Sequence, residues 1–133
     1  MCIRDRPKTG GAYVRCILES LALKYRLVLR SLEQIIGKRI EMIRVIGGGS
    51  KNRLLNQFTA DATGRTVLAG PAEATALGNI AIQILATGGA SSLCEVRAIV
   101  DRSFSTEAFE PLNPDQWDRQ AERFEHYCET IYA

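Results

Sequence analysis

The sequence predicts an α/β domain, mostly helical, organised around a single βαβ unit. Three observations predict it. A long stretch with apolar residues every third or fourth position runs into the β-branched segment "IEMIRVI". The glycines Gly47, Gly48 and Gly49 then join that segment to a second helical pattern, and another β-branched segment, "RTVLAG", follows the second helix.

Composition narrows the possibilities. A chain of 133 residues with 46% hydrophobic and 24% charged side chains has the make-up of one ordinary globular domain. A net charge of +2, with no block of like charge, gives no support to a nucleic-acid or membrane surface, so small molecules or proteins are the expected partners. No apolar run approaches the roughly 20 residues that a membrane-spanning helix needs. The cysteines, Cys2, Cys16, Cys94 and Cys128, form no C-x-x-C pair, and with one histidine they offer no zinc-finger or haem-attachment spacing; a reducing cytoplasm fits best. Residues 1–6, "MCIRDR", share nothing with the patterned chain and lack the apolar region of a secretory signal. They read as a non-native or disordered lead, and the domain is expected over 7–133.

The first helix is predicted over Gly11 to Ile36, where Val14, Ile17, Leu18, Leu21, Tyr25, Val28, Leu32, Ile35 and Ile36 follow steps of three and four. Leu23, Leu27 and Leu29 widen this stripe, which predicts packing on two sides. Gly37 is the natural stop, with Lys38 and Arg39 just beyond. Ile40 to Ile46 reads as a buried parallel strand and Arg65 to Gly70 as a second. Between them, Ser50 to Thr63 sets Leu54, Leu55, Phe58 and Ala62 on one helical face and stops at Gly64. A right-handed crossover is the expected geometry, with the glycine turn at the carboxyl end of the first strand, where ligands of open α/β sheets sit.

A third helix carries Leu77, Ile80, Ala81, Ile84 and Leu85 and ends at Gly88 and Gly89. A fourth begins at a capping box in which Ser92 and Glu95 bond each other's backbone N–H, and ends near Val100. The last starts with Asn113 as N-cap and Pro114 in the first turn, then aligns Trp117, Ala121, Phe124, Cys128 and Ile131.

Three glycines between strand and helix let the backbone take positive φ and approach a ligand closely. They also aim the N–H groups of the helix start at whatever sits there, which suits phosphate or an electron-rich ring. A plain strand-to-helix turn is the competing reading. The residue three after Gly49 is Asn52, so no G-x-G-x-x-G exists, and Ser50 precedes Lys51, so no Walker A loop exists.

Taken together, "GGAYVRCILESLALKYR", "IRVIGGGSKNRLLNQFTADATGRTVLAGPAEATALGNIAIQ" and "FEPLNPDQW" resemble the C-terminal part of carbohydrate kinases of the FGGY family over nearly everything from Pro7 onward. The resemblance implies part of an actin-like (ribonuclease-H-like) ATPase domain and a parent enzyme that moves the γ-phosphate of ATP, with Mg2+, to a sugar. Details such as Gly70-Pro71 and Asn79 lean towards members that make L-rhamnulose 1-phosphate from L-rhamnulose. It also implies an adenosine-binding site at Gly47, Gly48, Gly49 and Asn52, with Gly48 and Gly49 against the nucleotide, Gly47 turning the chain, and Asn52 bonding the adenine or ribose. An ordinary capping role is the competing reading of Asn52.

Many family members carry an acidic residue where this chain has Ile46, so no magnesium role is expected there. No catalytic base or metal ligand is expected in this segment; the base, the phosphate-gripping hairpin and the sugar site belong upstream, and the segment alone is expected to be inactive. The alternative is a stand-alone nucleotide-binding or protein-interaction module. Missing upstream strands would leave two strands and an exposed apolar area on the first two helices. Glu73 reads as a helix-dipole partner, Asp61 as solvated or capping, His126 as a surface residue, and Trp117, Phe124 and Tyr127 as core contacts.

Overall fold

In the computed structural model of the chain, residues 7–132 are described. Expectations for "MCIRDR", Cys2 and the side chain of Ile131 lie outside the described residues. The elements run α1 (Gly10–Ile36), β1 (Met42–Val45), a 3-10 turn (Gly48–Lys51), α2 (Arg53–Thr63), β2 (Thr66–Ala69), α3 (Ala74–Ala86), α4 (Leu93–Ser103), β3 (Glu107–Phe109) and α5 (Pro114–Tyr132).

The βαβ unit is present: β1 pairs with β2 in parallel, in register from Met42 with Thr66 to Val45 with Ala69. The sheet is not two-stranded, however. β3 lies antiparallel to β2, pairing Val67 with Phe109 and Ala69 with Glu107, in the order β1-β2-β3. Its three residues offer one apolar side chain that goes inward, Phe109, too little for a period of two to show in the sequence. Phe109 joins Ala60, Val67 and Ala69 in the buried core, with Ile43 and Val45 packed against it.

Helix ends fall where their chemistry places them. The Thr9 hydroxyl accepts from Ala12 N at 3.2 Å to start α1, and Gly37 ends it at φ 65°. Gly64 ends α2 at φ 62°. The Ser92 hydroxyl caps α4 by accepting from Glu95 N, but the Glu95 carboxylate bonds Ser91, not Ser92: it accepts from Ser91 N at 2.8 Å and Ser91 Oγ at 2.7 Å. Those two bonds, the backbone N–H first, hold Glu95 below the usual carboxylate range.

The packing faces of α1 and α2 differ from the periodicity reading. α1 turns Ala22, Leu23 and Leu29 inward, whereas Val14, Ile17, Leu21, Tyr25, Val28, Leu32, Ile35 and Ile36 remain exposed, Ile35 at 80%. On α2 the buried side chains are Asn56, Thr59, Ala60, Asp61 and Ala62, with Leu54 exposed. Ala22 on α1 and Ala60 and Ala62 on α2 are fully buried, which lets the backbones approach closely, while most of the large apolar side chains of α1 stay exposed. An exposed apolar stripe on α1 is the result. The outer edge of β1 also has no partner strand among the described residues.

α5 is tied across α1 and α2. Arg26 bridges Asp118 at 2.7 Å and donates to Ala62 O at 3.0 Å, Arg30 bridges Glu125 at 2.6 Å, and Trp117 packs on Phe58 with ring centroids 5.4 Å apart. No described helix is long and apolar enough to cross a membrane.

Candidate functional site

The site begins where β1 ends. Beyond Val45 the chain reverses through Gly47 at φ 77° and ψ −163°, a region that only glycine occupies without strain. Gly47 N donates to Pro71 O at 3.1 Å and Gly70 N donates to Val45 O at 2.8 Å, so the turn after β1 and the Gly70-Pro71 step after β2 are laced together. The glycine turn therefore sits at the carboxyl end of the parallel pair, as expected.

The glycines divide by need. Gly47 alone of the triplet has positive φ. A Cβ built on Gly49 would make ordinary contact with Val45 Cγ1 at 3.7 Å, and one built on Gly48 would meet nothing within 4 Å. Gly48 and Gly49 open a 3-10 turn, so their N–H groups have no acceptor within it.

Asn52 follows at the start of α2, and its Oδ1 accepts from Leu55 N at 3.1 Å. The capping reading of Asn52 thus describes a real bond, while the side chain stays exposed with its amide donors beyond that bond. The structure brings Gly47, Gly48, Gly49 and Asn52 to one corner. A cleft beside it includes Arg44, Ile46, Gly70, Pro71, Asp101 and Phe104 in its lining.

Two residues that the sequence did not single out hold this corner from within. Ser50, buried, donates to Gly47 O from its backbone N at 3.0 Å and from Oγ at 2.7 Å. Asn56, 1% exposed, donates from Nδ2 to Ser50 O at 2.9 Å. The only signal in the sequence was an asparagine three residues before Thr59 on what becomes the inner face of α2.

Other candidates lie elsewhere. Asp61 is not solvated: it is buried, and its Oδ1 accepts from Leu112 N at 2.7 Å and Gln57 Nε2 at 3.0 Å, pinning the strand-to-helix link before α5. Glu73 is exposed and makes no capping bond, and His126 is exposed. Trp117 and Phe124 are half-buried, but Tyr127 is 42% exposed, with the Arg123 guanidinium over its ring, so it is no core residue. At the opposite, amino-terminal end of the strands, Glu33 accepts from Ile40 N at 2.8 Å and Arg65 Nη2 at 3.0 Å. The backbone bond first, and Arg65 second, hold its carboxyl below the usual range. Among the described residues no group of three or more His, Cys, Asp or Glu side chains is arranged to hold a metal ion.

Comparison with known proteins shows the family. Residues 5–87 match the FGGY family of carbohydrate kinases, C-terminal domain, and the chain belongs to that family. It is 48% identical over 112 residues to a rhamnulokinase of Bacteroides thetaiotaomicron, a match covering 84% of the chain and 23% of that protein. It is 42% identical over 110 residues to a rhamnulokinase of Bacillus subtilis, covering 83% of the chain and 23% of the relative. The chain thus spans less than a quarter of the curated relatives' length. The crystal structure of xylulose kinase from Rhodospirillum rubrum superposes with a TM-score of 0.66 at 23% identity, covering 99% of the chain and 26% of that structure, which shows a shared fold.

Proposed function

We propose that the chain is the nucleoside-binding end of a sugar kinase whose complete form transfers the γ-phosphate of ATP to L-rhamnulose, giving L-rhamnulose 1-phosphate. The observation that carries the nucleotide reading is Gly48. Neither its φ nor any neighbour within 4 Å requires glycine, so the fold supplies no reason for the missing Cβ, whereas a ligand lying against the backbone does. Gly49 and the Gly47 turn extend the same flat backbone surface, and the Asn52 amide donors stand ready for adenine or ribose. Relatedness to two rhamnulokinases supports the sugar.

Phosphoryl transfer needs a base for the sugar hydroxyl, Mg2+ against the phosphate charge and donors around the γ-phosphate. The corner at Gly47–Asn52 holds no carboxylate, Ile46 before it is apolar, and Asp101 in the adjoining cleft belongs to no group of three or more possible metal ligands among the described residues. These residues do not fit Mg2+; in this reading the ion and the base belong to the rest of a longer kinase, and the chain alone transfers no phosphate. The exposed α1 stripe and the open β1 edge are then the surfaces that the rest covers.

The test is an ADP titration of the chain and of Gly48→Val. Saturable binding weakened at least tenfold by Gly48→Val, with circular dichroism unchanged, is expected. Absence of binding by the unsubstituted chain, or equal binding by both, refutes the nucleotide reading.

A further inference from the structure

We propose that Asn56 is a positioning residue: through Ser50 it holds the Gly47–Gly49 turn in the shape that receives the nucleotide. This rests on the nucleotide reading and adds to it the device that keeps the turn in place.

A run of glycines is the part of a chain with most conformational freedom to lose, and a 3-10 turn has weaker hydrogen-bond geometry than an α-helix. A surface meant to lie against a ligand needs an outside restraint. Ser50 supplies the first link, because its N–H and hydroxyl both reach Gly47 O, at 3.0 and 2.7 Å, closing the turn on itself. That closure needs the Ser50 peptide to be fixed in turn. Asn56 fixes it from the second turn of α2: its backbone N donates to Asn52 O at 3.0 Å while its side chain donates to Ser50 O at 2.9 Å. One residue thereby anchors both ends of the Ser50–Asn52 step.

The choice of side chain argues for this role rather than for packing. Asn56 is among the largest fully buried side chains, yet asparagine is a poor helix former and a costly core residue. Leucine in that place would serve the core and α2 better and would leave Ser50 O without its donor. Buried polar side chains that are satisfied in one arrangement specify that arrangement.

Amide exchange and ADP titration on the chain, Asn56→Leu and Ser50→Ala test this. Ser50→Ala removes one hydroxyl and covers the case in which Asn56→Leu does not fold. The expected result is exchange at the Ser50 and Asn52 amides at least tenfold faster in each variant, unchanged exchange over Phe58–Ala62, and an ADP Kd raised at least tenfold. Turn amides that exchange as before, or a loosened turn that binds ADP with unchanged Kd, overturn the proposal while leaving the nucleotide reading intact. Failure of the unsubstituted chain to bind ADP overturns the nucleotide reading first, and the positioning role with it.

Discussion

Replacing Gly47 with alanine tests the site at its most constrained point. At φ 77° and ψ −163° an alanine is strained, and its Cβ would meet only Ala72 O, at 4.0 Å, so the cost is conformational rather than steric. Residues held in such regions cost of order 1–3 kcal/mol. With an unfolding entropy of about 2.1 cal/mol/K per residue, a chain of 133 residues loses about 0.28 kcal/mol per degree near its midpoint, so Gly47→Ala is expected to lower Tm by about 4 to 11 °C. Gly48→Ala provides the opposing control. Its φ is not positive and its Cβ has open space, so the substitution stiffens the unfolded chain and is expected to leave Tm unchanged or raise it by up to about 4 °C. Thermal melts of the three proteins at one fixed concentration decide. If the two alanines shift Tm in the same direction by similar amounts, the division of the glycines into a structural and a ligand-facing residue is wrong.

Three further outcomes follow from the packing. Asp61→Ala removes a buried carboxylate that accepts from Leu112 N, and the loss of this hydrogen bond to a charged group is expected to cost about 1.5–3 kcal/mol in urea unfolding. Glu33 has its folded pKa lowered, so it stabilises the fold above its unfolded value of about 4.3, and that contribution disappears as pH falls through the lower folded value. The Tm of Glu33→Gln should accordingly lie below that of the chain at pH 7, with the gap closing in acid; a gap that is constant from pH 7 to pH 2 contradicts this. The exposed α1 stripe is expected to drive concentration-dependent self-association in light scattering, and Val28→Glu with Leu32→Glu is expected to reduce it. Unchanged association would show that the stripe is not the sticking surface.

The sequence was most legible where one residue type has one physical use. Gly37 and Gly64 mark helix ends because only glycine takes the left-handed cap cheaply, and both do so here. The β-branched segments on either side of the glycine turn paired in parallel because the intervening helix leaves no shorter connection. β3 was hidden because three residues with one inward side chain carry no periodicity.

The inner faces of α1 and α2 were hidden for a different reason. The large apolar side chains of α1 point to a surface that the described residues do not cover, so periodicity identified the stripe but not its partner. Asp61 and Asn56 were unreadable because a polar side chain is buried only when a specific donor or acceptor awaits it. Those partners, Leu112 N and Ser50 O, are set by tertiary structure.

The most direct measurement is a titration of the isotope-labelled chain with ADP, following backbone amide resonances. The nucleotide reading expects saturable shifts centred on Gly47 to Asn52 and extending to Gly70, with the amides near Glu33 and Arg65 undisturbed. Shifts centred at that opposite end of the strands, or none at millimolar ADP, would contradict it.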